Sequence, residues 1–461
     1  MLADRWEPAQ PVRVTGPVTD GQKEVPGAVP DKPSQPTDRP AQAADAVGET
    51  AGAPVQAADA IGETAGAPVQ AADSVGRTAG APLQAADSPQ RWREVRSVLT
   101  ANRPELSRIA AGLYPGLLRV GSTDLLSRAE WLPDAPLGLD DLPLAWAEQP
   151  PAPALDLTGP VSAHVRPADG AGGRYASYAD AVAALDRPGL FENRPCYRLL
   201  GAALAGPPAL RLTRTRYFAG MELGHSVAHE LAAAWAESRN GLSMAALPLR
   251  SLAGDPCALD RRLSLCAVTT LTLRRAAGGE ASFVLHWRDP AKVNHAGGMY
   301  QVMPVGLFQP ATSAPAAVPH DLSLWKCMAR EFSEEFLGTS EDYQTTGGLL
   351  DYDRWPFYRR LTQARRAGRL AVFCLGTGVD PVTFATDVLT VAVFDAAEFD
   401  AAFGGLVALN AEGRVITGGR AEGIPFTEDT VARLVGGAEP MQASGAALLQ
   451  LAWQYRRHLL G

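Results

Sequence analysis

The chain has 461 residues, 46% of them hydrophobic, and a formal net charge of −8 with only four lysines among its 42 basic residues. That length suits two or three domains, and the acidic balance argues against a sequence-independent grip on nucleic acid, which needs a basic surface. Five widely spaced cysteines (Cys196, Cys257, Cys266, Cys327, Cys374), with no Cys-x-x-Cys pair, predict buried free thiols in place of a disulfide frame or a structural zinc site. The N-terminus has no apolar leader, and no apolar run reaches the ~18 residues that span a bilayer. A cytoplasmic protein without membrane partners is expected.

Residues 1–88 contain a 14-residue repeat marked by Gln42, Gln56, Gln70 and Gln84. Each copy places glycine and proline inside any would-be helix and holds too few large apolar residues for a core, so this segment reads as a disordered low-complexity tail. Apolar residues at helical spacing over 91–112, interrupted at Pro104, begin a small helical and loop module spanning 89–148. A Pro-rich joint at 149–160 leads into a mixed α/β module over 161–260, whose best helix is predicted at 222–238. His225, His229 and Glu230 lie on that helix, but His-x-x-x-His-Glu is not a zinc-peptidase spacing, and hydrogen-bonded packing is the expected role.

From 261 the pattern turns to strands. Alternating residues predict strands at 267–274, 281–287 and 298–304, then 370–375 and 388–394. Between them lies a helix with Asp321 as N-cap and Gly338 as C-cap. Leu324, Cys327, Met328 and Phe332 form its sheet-facing side. Gly376-Thr-Gly378 reads as a strand-to-loop turn. Helices at 427–435 and 443–460 make up a C-terminal extension, 401–461. Leu448, Leu451, Ala452 and Tyr455 share the face of the last helix that should dock on the preceding domain.

The acidic helix carries the chemistry. Its run Arg330-Glu-Phe-Ser-Glu-Glu-Phe-Leu-Gly338 puts Glu331, Glu334 and Glu335 at i, i+3 and i+4, so three carboxylates share one helical face. Such a cluster of hard oxygen ligands suits Mg²⁺ or Mn²⁺, and Arg330 is placed to hold one carboxylate through a bidentate pair. The run resembles the core of the Nudix box. The resemblance implies an α+β fold with a Nudix-type α/β/α sandwich around a mixed sheet over 261–400. It also implies a metal-dependent hydrolase that cleaves the pyrophosphate bond of a nucleoside-diphosphate-linked substrate, with Glu331, Glu334 and Glu335 as metal ligands and Arg330 in support.

The full box also has a glutamate eight residues before the arginine and a glycine six before that. Leu322 and Ala316 stand there in this chain, and Gly306 is the nearest glycine equivalent, followed by an Ala/Pro-rich insertion at 311–319. Asp321 is off by one, about 100° of helical rotation from the other acids. A Nudix fold places its substrate cleft near His286-Trp-Arg-Asp289, which makes Arg288 and Lys292 candidates for phosphate and Trp287 and Tyr300 candidates for base stacking. Asp380, Asp387, Asp395 and Glu398 are candidates for a further acid. From about residue 91 onward the chain also resembles large actinobacterial Nudix-domain proteins labelled as transcriptional regulators, although no helix-turn-helix is legible. The rebuilt first half of the box keeps an alternative open: a non-catalytic nucleotide sensor or partner-binding module. Either way the expected partner is a nucleotide-type small molecule, with no direct nucleic-acid binding, and a homodimer remains open beside a monomer.

Overall fold

A computed structural model describes residues 88–461, except 151, 154, 156, 158–159, 190, 240, 290–296, 340–344, 347, 405, 407–409, 411–412, 419–421 and 438. The repeat segment and Lys292 therefore lie outside the described residues. Helix α1 (Pro89–Ala101) starts where Ser88 Oγ accepts the Arg91 N–H, and α2 (Arg103–Gly112) carries Pro104 in its first turn. The break falls at Asn102 because Pro104 has no N–H with which to continue α1. Strands β1 (Pro195–Ala203) and β2 (Ala209–Arg216) pair antiparallel, and the short strand Leu144–Trp146 adds parallel to β2. Strand β2 runs directly into α3 (Tyr217–Glu237), whose Ala228, Leu231 and Trp235 pack with Val95, Leu106 and Ala110 of α1 and α2.

The main sheet is mixed, and the fold is α+β. Strand β3 (Cys266–Arg275) is central and is followed by β4 (Ala281–Phe283), β5 (Leu285–Arg288), β6 (Tyr300–Val302) and β7 (Val305–Leu307). After helices α4 (Leu324–Leu337) and α5 (Pro356–Arg366) come β8 (Leu370–Val379), β9 (Thr386–Asp395) and helix α6 (Ala396–Phe403). Strand β9 lies parallel to β3 and antiparallel to β8, while β7 and β4 occupy successive lengths of the other edge of β3. Leu126 and the pair Leu137–Gly138 also join β8, so segments from 89–148 extend this sheet.

Alternation along the strands divides two cores between the two faces. Val268, Val372, Val388, Ala392 and Phe394 face α4, α5 and α6, with Phe332, Phe336, Leu361, Phe399 and Phe403 filling that layer. Leu271, Leu273, Leu389, Val391 and Val393 face α7 (Glu428–Val435) and α8 (Ala443–Gln454), through Val431, Leu434, Leu448 and Leu451. Helices thus cover both faces. Each fully buried side chain of this kind contributes about 1.5–3 kcal/mol.

Four expected elements come out differently. The strand expected at 281–287 divides at Val284, and the one expected at 298–304 divides at Met303–Pro304. Their halves β5 and β6 form a separate three-stranded sheet with β10 (Gly413–Ile416), while β4 and β7 stay in the main sheet. Pro304 cannot donate to a ladder, so the chain leaves one sheet there and enters the other. Gly376 and Gly378 lie inside β8, at and beyond a bulge, and not in a turn after it. A Cβ at either glycine would overlap Leu132 or Leu125, so their role is to let that upstream segment approach the strand. The last helix ends at Gln454, and a short helix Arg456–Leu460 follows.

Candidate functional site

Helix α4 is amphipathic because Leu324, Cys327, Met328, Phe332 and Phe336 recur at helical spacing, and all five are buried. Gly338 adopts the left-handed conformation (φ 66°) at its C-cap, as expected. The N-cap is Ser323, whose Oγ accepts the Lys326 N–H at 3.3 Å, and not Asp321. A short helix, Ala317–His320, precedes it and leaves Asp321 in the intervening turn. There the Asp321 carboxylate is fully buried and accepts the Ala311 N–H at 2.8 Å. The rotation argued for Asp321 from helical spacing therefore does not apply, because the residue precedes the helix.

Arg330 is buried, and its partners differ from expectation. Nη1 donates to the Tyr352 hydroxyl and Nη2 to the Gln309 carbonyl, in place of a bidentate grip on a carboxylate. The guanidinium faces the loop after β7 and the Leu350–Tyr352 segment, whose oxygens lie nearest. Burial works against its charge, but Cys327, Tyr352, Asp321 and Glu331 outweigh that and raise its pKa. Arg330 thereby fastens α4 to the loop that precedes it.

The three glutamates divide. Glu335 is buried, its Oε1 accepts the Val305 N–H at 2.9 Å, and its Oε2 lies 3.9 Å from His286 Nδ1. His286 Nε2 is 3.0 Å from Asn410 Oδ1, and the Asn410 amide donates to the Glu335 carbonyl. Glu331 packs against Gly306 of β7 so closely that any Cβ there would overlap its carboxylate. Glu331 and Glu334 are both half-buried and line one small concavity with Arg194, Gln309, Pro310, Ala311 and Arg330, which leaves a volume of about 10 Å³. A second concavity, about 290 Å³, is lined by His320, Lys326, Leu350, Asp351, Tyr352 and Tyr358, among others. The Arg330–Tyr352 hydrogen bond links the two sets of walls.

Of the described candidates for substrate, Trp287 and Tyr300 lie together on the other face of the strand from His286. Trp287 and Tyr300 face each other across β5 and β6, and the Arg414 guanidinium lies 4.6 Å from the Trp287 ring. Successive strand residues point to opposite faces, so the same strand that offers His286 to Glu335 turns Trp287 away. Arg288 ends β5, half-buried. Of the later acids, Asp380 pairs with Arg103, Asp395 with Arg275, and Glu398 with Arg360 and Arg369. Asp387 accepts the Thr269 hydroxyl at 2.6 Å, and burial raises its pKa to about 7.

On α3, His229 Nδ1 is 3.1 Å from the Tyr178 hydroxyl, its ring stacks on Trp92, and burial lowers its pKa to about 3. Glu230 accepts the N–H groups of Leu249 and Arg250, at the start of the short helix Pro248–Ala253, and contacts His164. All five cysteines are buried and free.

Among the described residues no group of three His, Cys, Asp or Glu side chains is arranged to hold a metal ion, and no helix is long and apolar enough to cross a membrane. Mg²⁺ is commonly held by only one or two carboxylates together with waters and substrate phosphates. Glu331 and Glu334, half-buried at one concavity beside the Cβ-less Gly306, fit that donor set. Glu335, inward-facing and engaged with Val305, completes the support of the helix.

The sequence places His286 at the expected cleft without a role, and it singles out none of Asn410, Arg194, Gln309 and Tyr352. Strand alternation was a usable signal for His286. Arg194 had none, since it lies more than a hundred residues before the helix it meets.

No family model and no curated protein matches this chain. Among solved structures it is similar to a Nudix hydrolase from Alicyclobacillus acidocaldarius, at 16% identity over 40% of this chain and 89% of that one, with a TM-score of 0.23. A likeness that slight carries nothing about the site.

Proposed function

We propose that the chain is a Nudix-type hydrolase that cleaves a pyrophosphate bond in a nucleoside-diphosphate-linked substrate, with Mg²⁺ or Mn²⁺ held by Glu331 and Glu334. The supporting observation is the seating of Glu331 on Gly306, which brings both half-buried carboxylates to one concavity at the edge of β7. A bound cation would neutralise phosphate oxygens and lower the pKa of an attacking water. The chain's own residues hold that arrangement in place. Glu335 ties α4 to β7 through Val305, and Arg330 ties it to Gln309, so the two carboxylates are presented from a fixed helix.

The test is release of phosphate or a monophosphate from a panel of nucleoside-diphosphate-linked compounds in the presence of Mg²⁺ or Mn²⁺. Glu334→Gln should lower the rate at least ~10²-fold, in the range expected when one charge-stabilising group is lost. Equal rates for the parent and this variant would overturn the assignment.

A second reading, nucleotide sensing without hydrolysis, draws on the narrowness of the concavity, whose ~10 Å³ admits about one water. It also draws on Leu322 and Ala316 standing where the box has acid and glycine. Under that reading a nucleotide raises the melting temperature with no turnover, by an amount that follows its concentration relative to Kd.

A further inference from the structure

The concavity at the start of α4 has room that the one at Glu331 and Glu334 lacks, about 290 Å³ against about 10 Å³. Its volume falls near the lower end of the ~300–1,000 Å³ typical of small-molecule sites. Local chemistry builds its walls. Asp351 accepts the Arg354 N–H at 3.1 Å, in a turn that carries Tyr352 and Asp353, and Pro356 then opens α5, which carries Tyr358.

Much of the lining is aromatic. The Tyr352 and Tyr358 rings lie 4.9 Å apart at 60°, and the His320 ring lies 5.6 Å from Tyr352, held by its Nε2 at 2.9 Å from the Leu350 carbonyl. Rings so tilted offer both faces and edges to a further ring.

The polar groups on these walls carry both signs. Lys326 Nζ donates to the His320 carbonyl at 2.6 Å and lies 4.6 Å from the Tyr352 ring centroid. An ammonium has three N–H groups, and among the described residues only that oxygen receives one. Burial lowers the Lys326 pKa, a cost that an anion beside it would offset. Asp353 is exposed and makes no hydrogen bond or ion pair among the described residues. It lies close enough to favour the Lys326 charge without pairing with it. An ammonium and a carboxylate thus share one concavity with a gap between them, a pattern that matches a zwitterion bearing a ring.

We propose that this concavity binds an aromatic amino acid, with its carboxylate at Lys326, its ammonium at Asp353 and its ring against Tyr352 and Tyr358. Neither Glu331 nor Glu334 takes part, so the inference stands apart from the hydrolase reading.

The experiment is calorimetric titration of the full chain with L-phenylalanine, 3-phenylpropionate and phenethylamine, which share the ring and carry both charges, only the negative or only the positive one. L-Phenylalanine should bind, and each single-charge analogue should bind at least about tenfold more weakly, the loss of one hydrogen bond to a charged group. Asp353→Asn should weaken L-phenylalanine binding by a similar factor at an unchanged melting temperature, because the side chain is exposed. Lys326→Met should do so as well, and if that variant loses the fold, Asp353→Asn decides alone. The proposal is overturned if L-phenylalanine gives no heat of binding, if either analogue binds as tightly as it does, or if Asp353→Asn binds it like the parent.

Discussion

Helices α3 and α4 each carry three potential ligands within two turns, His225, His229 and Glu230 on the first and Glu331, Glu334 and Glu335 on the second. On α3, Glu230 is consumed by two backbone N–H groups, and His229 is sealed between Tyr178 and Trp92. On α4, Glu335 is used in that way, and Glu331 and Glu334 line a concavity. Helical spacing is the same kind of signal in both. What differs is the surroundings that the tertiary fold gives each cluster.

The comparison breaks most severely at Glu230. Glu230→Ala would leave two buried N–H groups without their acceptor, at about 1–3 kcal/mol each, so a loss of several kcal/mol is expected in urea unfolding. A loss below about 1 kcal/mol would show that the cap on Pro248–Ala253 is dispensable.

Gly306→Ala comes next. The added methyl overlaps the Glu331 carboxylate, and overpacking of this kind costs about 1–3 kcal/mol. The double variant Gly306→Ala/Glu331→Ala should regain most of that stability while losing Mg²⁺-dependent hydrolysis. Non-recovery would place the clash elsewhere.

The pH response sharpens the contrast further. The folded-state pKa of His229, about 3, lies below its ordinary 6.5, so the unfolded chain takes up a proton that the native state refuses. This contribution is present above pH 6.5 and is lost as pH falls toward 3, at up to ~1.4 kcal/mol per pH unit. His229→Gln should flatten that part of the stability profile, and an unchanged slope would mean that His229 is not the group responsible.

The smallest effect on stability belongs to Glu334→Gln. This half-buried side chain at the concavity should change unfolding free energy by no more than about 0.5 kcal/mol while removing cation-dependent function. A large destabilisation would put Glu334 in the same class as Glu230.

Much of this was legible in the chain. Alternation over 267–274 and 388–394 marked the two central strands, because buried strands of a covered sheet need β-branched and aliphatic residues. The interruption at Pro104 and the Gly338 cap followed from local backbone chemistry. The divided strands were less legible, since Val284 and Met303–Pro304 sit inside runs whose alternation does not say which sheet they join. Ser323 and Asp321 are both good capping types, and only the turn after His320 selects between them.

By itself the sequence determined the acidic helix, its apolar face, its glycine stop and the strands flanking it, because each depends on side-chain periodicity and neighbours within a turn or two. Only the tertiary structure decided what the polar residues do. It turned Glu335 inward to Val305, set Glu331 on Gly306, gave Arg330 to Gln309 and Tyr352, and brought Arg194 to the same concavity. A carboxylate or guanidinium takes whichever donors and acceptors the fold places within ~3 Å, and those partners come from segments remote in the chain.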